Sequence, residues 1–191
     1  SKRNASGYLA HSAQFPRGLR YVADRVHDLG LRFGVYLDRG RLTCQHRAGS
    51  HGEESRDLSL AVVSLGADLV KIDSCHVKAS PSTSVRAARK YASILSRLQS
   101  SRTVPVVLSW CAAKTMKRGD QFVAVSNMWR VAPDVKSFAS AFVAARAMRR
   151  FGKWAAPGGW PDPDHLLSSS SSARRKLTPA ESRTQFSLWC V

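Results

Sequence analysis

Ala67-Asp68-Leu69-Val70-Lys71-Ile72-Asp73-Ser74-Cys75 is the stretch whose reading decides the fold. Its apolar residues form a short, buried-looking strand that runs out into a polar loop at Asp73. A carboxylate ending such a run stands at the C-terminal lip of a strand, where parallel barrels place their chemistry. Two later segments have the same character: Trp129-Arg130-Val131-Ala132-Pro133-Asp134 and Gly158-Gly159-Trp160-Pro161-Asp162-Pro163-Asp164. Lone aspartates after two different strands, Asp73 and Asp134, suggest a nucleophile and a general acid, the pair a glycoside hydrolase uses.

Outward from this stretch, strand and helix alternate. Residues 16–30 begin with Pro16, carry Leu19, Val22, Val26 and Leu29 at helical spacing, and stop at Gly30. Residues 32–38 read as a strand, and 53–65 as a helix with Glu53 and Glu54 in its first turn. After the strand 67–73 comes a helix over 82–100, then strands at 104–110 and 124–129 and a helix over 134–151. Residues 153–156 read as a weak strand, and the serines 168–172 as a flexible loop. Thr178-Pro179-Ala180-Glu181 opens a last helix with a capping box. Such alternation means parallel strands with crossover helices. No G-x-G-x-x-G phosphate turn is present, which argues against an open dinucleotide-binding sheet. Five visible strands are fewer than the eight of a closed barrel, so a (β/α)8 reading makes these residues part of one.

Composition sets outer bounds. A hydrophobic fraction of 43% over 191 residues supports a packed core and argues against wholesale disorder. No apolar run approaches the roughly 18 residues a spanning helix needs, and no apolar leader segment follows Ser1-Lys2-Arg3-Asn4. The net charge of +17 would suit nucleic acid, but the basic residues are scattered and their longest run, Arg174-Arg175-Lys176, is short. A solvated basic surface is therefore preferred to a nucleic-acid-binding module. The cysteines, Cys44, Cys75, Cys111 and Cys190, contain no C-x-x-C pair, so no structural metal is expected. Cys44 and Cys75 follow consecutive strands, which leaves both a disulfide and free thiols open. Side chains two apart on a strand share a face, which groups Lys71 with Asp73, and Tyr36 with Asp38. A lysine beside Asp73 would favour the ionised carboxylate of a nucleophile.

At these motifs the chain resembles the melibiase-type α-galactosidases, a retaining family that also contains α-N-acetylgalactosaminidases. The resemblance runs from Phe15-Pro16-Arg17-Gly18-Leu19 to Phe186-Ser187-Leu188-Trp189. Its ordered pieces are Gly34-Val35-Tyr36-Leu37-Asp38, Thr43-Cys44 with Gly49-Ser50, Lys71 to Cys75, Trp129 to Asp134, and Gly158 to Asp164. It implies a partial (β/α)8 TIM barrel, about strands 3 to 7 with their helices. Residues 1–191 would then be a fragment of one catalytic domain, without its N-terminal strands, last strand and C-terminal β-domain. It also implies Asp73 as nucleophile, Asp134 as acid/base, and a disulfide between Cys44 and Cys75. Lys71, Arg130, Tyr36, Asp38, Trp160 and Asp164 become the candidate substrate contacts, with Asp162 shaping the loop.

The expected substrate is an α-galactoside oligosaccharide or glycoconjugate, cleaved without metal or cofactor in a secreted or lysosomal/vacuolar compartment. Two departures bear on this. Pro161 replaces the family's Asn, and Ser109-Trp110-Cys111-Ala112 stands where the family has S-C-E/S-W. The small residues after Trp110 suit N-acetylgalactosamine as an alternative substrate. A catalytically dead or truncated homologue that binds sugar is the other alternative.

Overall fold

The computed structural model describes residues 2–9, 14–78, 80–111, 120–167 and 177–190. They fall into two compact units, Ser1–Cys111 and Ala112–Val191. In the first unit the order is α1 (Gly18–Asp28), β1 (Gly34–Asp38), α2 (Glu54–Ser59), β2 (Leu69–Asp73), α3 (Pro81–Leu98) and β3 (Val107–Trp110). The three strands are parallel, with Asp38 beside Asp73 and Lys71 flanked by Tyr36 and Ser109.

Alternation along β2 explains its position. Val70 and Ile72 are fully buried, while Leu69, Lys71 and Asp73 on the other face are half-buried. Each of the two buried side chains contributes about 1.5–3 kcal/mol by leaving water. Helix α3 buries Ser84, Ala88, Tyr91, Ile94 and Leu95, a stripe at helical spacing. It starts one residue earlier than the periodicity predicts. Ser80 accepts from Thr83 N, Thr83 Oγ1 accepts from Ser80 N, and Pro81 fills the first position. Helix α2 departs from expectation in its second half, where Leu60–Ser64 widens into a π-helical turn. Leu65 N then donates to Leu60 O at 2.9 Å and Ala67 N to Ala61 O at 2.9 Å, with Gly66 at φ +72° making the exit.

Two buried aspartates, Asp57 and Asp68, brace this unit through their cationic and polar partners. Arg3 grips the buried Asp57 with both NH groups, at 2.9 and 2.7 Å, and also donates to Gly49 O. At the start of β2, Asp68 accepts from Phe33 N, His27 Nε2 and Arg102 NH2 at 3.0, 2.8 and 2.8 Å, with Arg32 NH1 at 3.4 Å. Its pKa is lowered: burial pushes it up, and these donors outweigh burial.

The second unit contains α4 (Asp120–Val123), β4 (Met128–Arg130), α5 (Phe138–Phe151), β5 (Trp160–Asp162) and α6 (Pro179–Cys190). Strands β4 and β5 are parallel, with Trp129 beside Pro161 and Arg130 beside Asp162. The weak strand expected at 153–156 is instead a 3-10 turn, Gly152–Trp154, and the strand lies beyond the Gly158-Gly159 turn. Pro161 does not break it. The ladder to β4 is made by Trp160 N to Asn127 O and Val131 N to Asp162 O, so the nitrogen of the intervening residue points away from β4. The strand expected at 124–129 is confined to β4, because the residues before it form a turn in which Val125 N and Ser126 N donate to Phe122 O. Helix α6 has the expected box: Thr178 N donates to Glu181 Oε2 and Glu181 N to Thr178 Oγ1. The serines 168–172 lie outside the described residues.

Candidate active site

The lip of β1 and β2 gathers four of the expected residues. Parallel register sets the Asp38 and Asp73 backbones side by side. The Tyr36 hydroxyl reaches both carboxylates, 3.1 Å from Asp73 Oδ2 and 3.4 Å from Asp38 Oδ2. Burial, then the charges of Asp73 and Asp38, push the Tyr36 pKa far up, so the phenol is a permanent donor to this pair. Lys71 lies on the same face of β2 but makes no ion pair with Asp73 among the described residues.

Asp38 and Asp73 differ in setting. Asp38 is fully buried and accepts from the backbone of Gly40 at 2.7 Å and Cys75 at 3.0 Å. Burial raises its pKa against those bonds. Its oxygens are largely committed to holding the two loops. Asp73 is half-buried; Oδ1 accepts from Ser74 N at 2.8 Å, and Oδ2 takes the tyrosine. Of the two, Asp73 is the carboxylate with an oxygen available to a ligand.

A disulfide joins Cys44 to Cys75, with Cα atoms 5.1 Å apart. The Cys44 sulfur lies 3.9 Å from Asp73 Oδ2; it carries no proton, so this is a contact and not a hydrogen bond. These two sulfurs and the two carboxylates lie within 4.8 Å of one another. Oxidised sulfur is a poor ligand, since the thiolate is the metal-binding form, so the donor set does not suit a metal ion. The loops close tightly. A Cβ on Gly49 would overlap the carbonyl of Gly40, and Ser50 N donates to Asp38 O at 2.7 Å.

Sequence reasoning missed Arg39. It is buried, donating to Ser74 Oγ at 2.8 Å and Ser84 Oγ at 3.3 Å, and it sits 5.8 Å from the Trp110 ring. Burial lowers its pKa while the Asp38 charge opposes that. The available signal was an arginine directly following a lip aspartate.

In the second unit, Arg130 is buried and organises the loop after β4. It donates to Ala132 O at 3.1 Å and to Asp134 Oδ1 at 3.3 Å, and pairs with Asp164 Oδ2 at 2.9 Å. Asp164 is also buried; the same oxygen accepts from Val135 N, while its own N donates to Asp162 Oδ1, each at 2.8 Å. Helix α6 clamps this loop through Trp189 Nε1 to Asp164 O at 2.7 Å and Leu167 N to Gln185 Oε1 at 2.9 Å. Arg130 and Asp164 thus form the frame of the loop, a contribution the motif alone did not reveal. Trp160 is 54% exposed. Asp134 is 61% exposed, with Lys136 Nζ 3.5 Å away. Burial raises its pKa, but Arg130 and then Lys136 outweigh it, and the net shift is downward.

The family model for alpha galactosidase A, a melibiase model, matches residues 1–191. The chain belongs to this melibiase family. Among its relatives are an alpha-galactosidase of Cyamopsis tetragonoloba, 31% identical over 99% of the chain and 44% of that protein. Another is the human alpha-N-acetylgalactosaminidase, 29% identical over 99% of the chain and 46% of that protein. The structure of the Saccharomyces cerevisiae alpha-galactosidase matches with a TM-score of 0.80 and 25% identity, over 99% of this chain and 46% of that one. The chain thus spans under half the length of these relatives. Its parallel strands and crossover helices form part of a (β/α)8 barrel.

Proposed function

We propose that these residues carry the reacting groups of a retaining glycoside hydrolase that cleaves terminal α-galactosides. The observation that carries the reading is the Asp73 carboxylate. It stands at a strand's C-terminal lip, oriented by Tyr36 and Ser74 N and tied into the Asp38 loop system. Asp73 attacks the anomeric carbon as Asp134 protonates the departing oxygen, forming a covalent glycosyl–enzyme. Water then attacks that carbon, giving its proton to Asp134 and releasing Asp73. Tyr36 keeps one Asp73 oxygen occupied and leaves the other lone pairs for the sugar. Within its own unit Asp134 is biased toward its anion. The acid step therefore requires bound substrate, or the charge of a nearby carboxylate, to restore its proton. Lys71 and Trp160 are proposed to contact the sugar, with the buried Asp38 fixing the loops around Asp73 and Arg130 and Asp164 holding the loop that presents Asp134.

The test uses the chain with any sequence that flanks it, and 4-nitrophenyl α-galactoside. Asp73→Asn should lose at least about three orders of magnitude in rate. With azide, Asp73→Gly should yield the β-galactosyl azide and Asp134→Ala the α-galactosyl azide. Equal rates for Asp73→Asn and the unaltered protein would remove Asp73 from the mechanism. The human relative's name supports a second reading, in which the preferred substrate is an α-N-acetylgalactosaminide. The corresponding chromogenic substrate decides between them. The Cys44–Cys75 disulfide favours an oxidising compartment, as in secretion or the lysosome or vacuole.

A further inference from the structure

We propose that His46 and His76 form a two-imidazole site for a divalent transition ion at the rim of the Asp73 lip. Their ring centres lie 4.7 Å apart with the planes tilted by 40°. Two imidazoles bound to one ion at metal–nitrogen distances of about 2.0–2.1 Å, with a bond angle of roughly 90–110°, bring their ring centres about 4.5–5.2 Å apart. The free pair already has that separation. Both rings are exposed, so water can complete the coordination.

The backbone holds the pair in place. His46 and His76 both have φ of +54°, an uncommon conformation for a residue with a side chain. His46 N donates to Thr43 O at 2.9 Å, and Thr43 N to Arg47 O at 2.8 Å, closing a tight turn. His76 follows Cys75, whose N donates to the buried Asp38, and the Cys44–Cys75 disulfide ties the two loops together. Ligands fixed before binding lose little entropy when the ion arrives. Imidazole suits copper, nickel and zinc, with Cu2+ the tightest of the series. The neighbouring Arg47 and Lys78 oppose a cation, while the carboxylates of Asp38 and Asp73 favour one. The Cys44 sulfur, 3.9 Å from Asp73 Oδ2, links the pair to the proposed sugar site.

The probe is Cu2+ alone, titrated by calorimetry into the intact chain, with electron paramagnetic resonance of the complex. One equivalent should bind with superhyperfine splitting from two nitrogens. His46→Ala and His76→Ala should each weaken binding about 100-fold, because each leaves a single ligand. His51→Ala should leave it unchanged. Circular dichroism of each variant confirms that its fold is intact. Unchanged affinity in both alanine variants, or a one-nitrogen spectrum in the unaltered chain, would overturn the site. These readouts do not depend on glycosidase activity. Loss of hydrolysis with Cu2+, absent in His46→Ala, would in addition place the ion over the reacting lip.

Discussion

Replacing Asp68 with Asn offers a quantitative test of how β2 is held. Its side chain is only 10% exposed and meets two guanidinium groups, the His27 imidazole and one backbone N–H. The amide can keep the Phe33 N bond, but it loses the charge that Arg102 faces. A hydrogen bond to a charged group contributes about 1.5–3 kcal/mol. The Arg102 bond is the best formed, at 2.8 Å with Arg102 25% exposed. Arg32, 65% exposed and 3.4 Å away, adds little. The expected loss is therefore about 2–3 kcal/mol. Read by hydrogen–deuterium exchange of the peptide carrying β2, that is about 30- to 150-fold faster exchange. The pH dependence provides a second check. The folded-state pKa of Asp68 is lowered, so its contribution is full above the unfolded value of about 3.9 and fades as pH falls through the folded value. Urea midpoints of the two proteins should therefore differ at pH 7 and converge in acid. A difference below about 0.5 kcal/mol at pH 7, or one that persists undiminished in strong acid, would refute the claim that the charged cluster stabilises the strand.

Three further outcomes follow from the loops. Gly49→Ala forces a Cβ onto the Gly40 carbonyl; it should cost about 2 kcal/mol or more and be seen as a lower melting temperature by calorimetry. Cys44→Ser with Cys75→Ser opens a bridge spanning 31 residues; the loop-closure relation gives a loss of about 3–4 kcal/mol, measurable by urea unfolding. Trp189→Phe removes the bond to Asp164 O and should destabilise the second unit by about 1–2 kcal/mol. Faster exchange in the peptide containing β5 checks this.

Much of the outline was legible because it depends on local chemistry. Thr178, Pro179 and Glu181 marked the start of α6, and the Gly30 and Gly66 stops marked the ends of α1 and of the α2 segment. Apolar spacing placed Ala88, Tyr91 and Ile94 on the buried face of α3, but the structure also buries Ser84 and Leu95 there and leaves Val85 and Leu98 partly exposed; the first turn needed the Ser80–Thr83 bonds to be seen. The strand at 153–156 was misplaced because Lys153-Trp154-Ala155-Ala156 is apolar enough to read as extended. Pro161 also masked the true strand, since the direction of one missing N–H depends on the partner strand.

From the sequence alone came the alternation of strand and helix, the aspartates ending strands and, through family resemblance, the Cys44–Cys75 pairing. Each depends on neighbours along the chain or on motifs kept in order. Tertiary structure alone decided that Tyr36 bridges Asp38 and Asp73, that Arg39 is buried behind Ser74, that Asp164 pins Arg130, and that His46 meets His76. The physical reason is register and loop closure. Which side chains face one another across two strands or two loops depends on packing between distant residues, and that information is not carried by any single window of the chain.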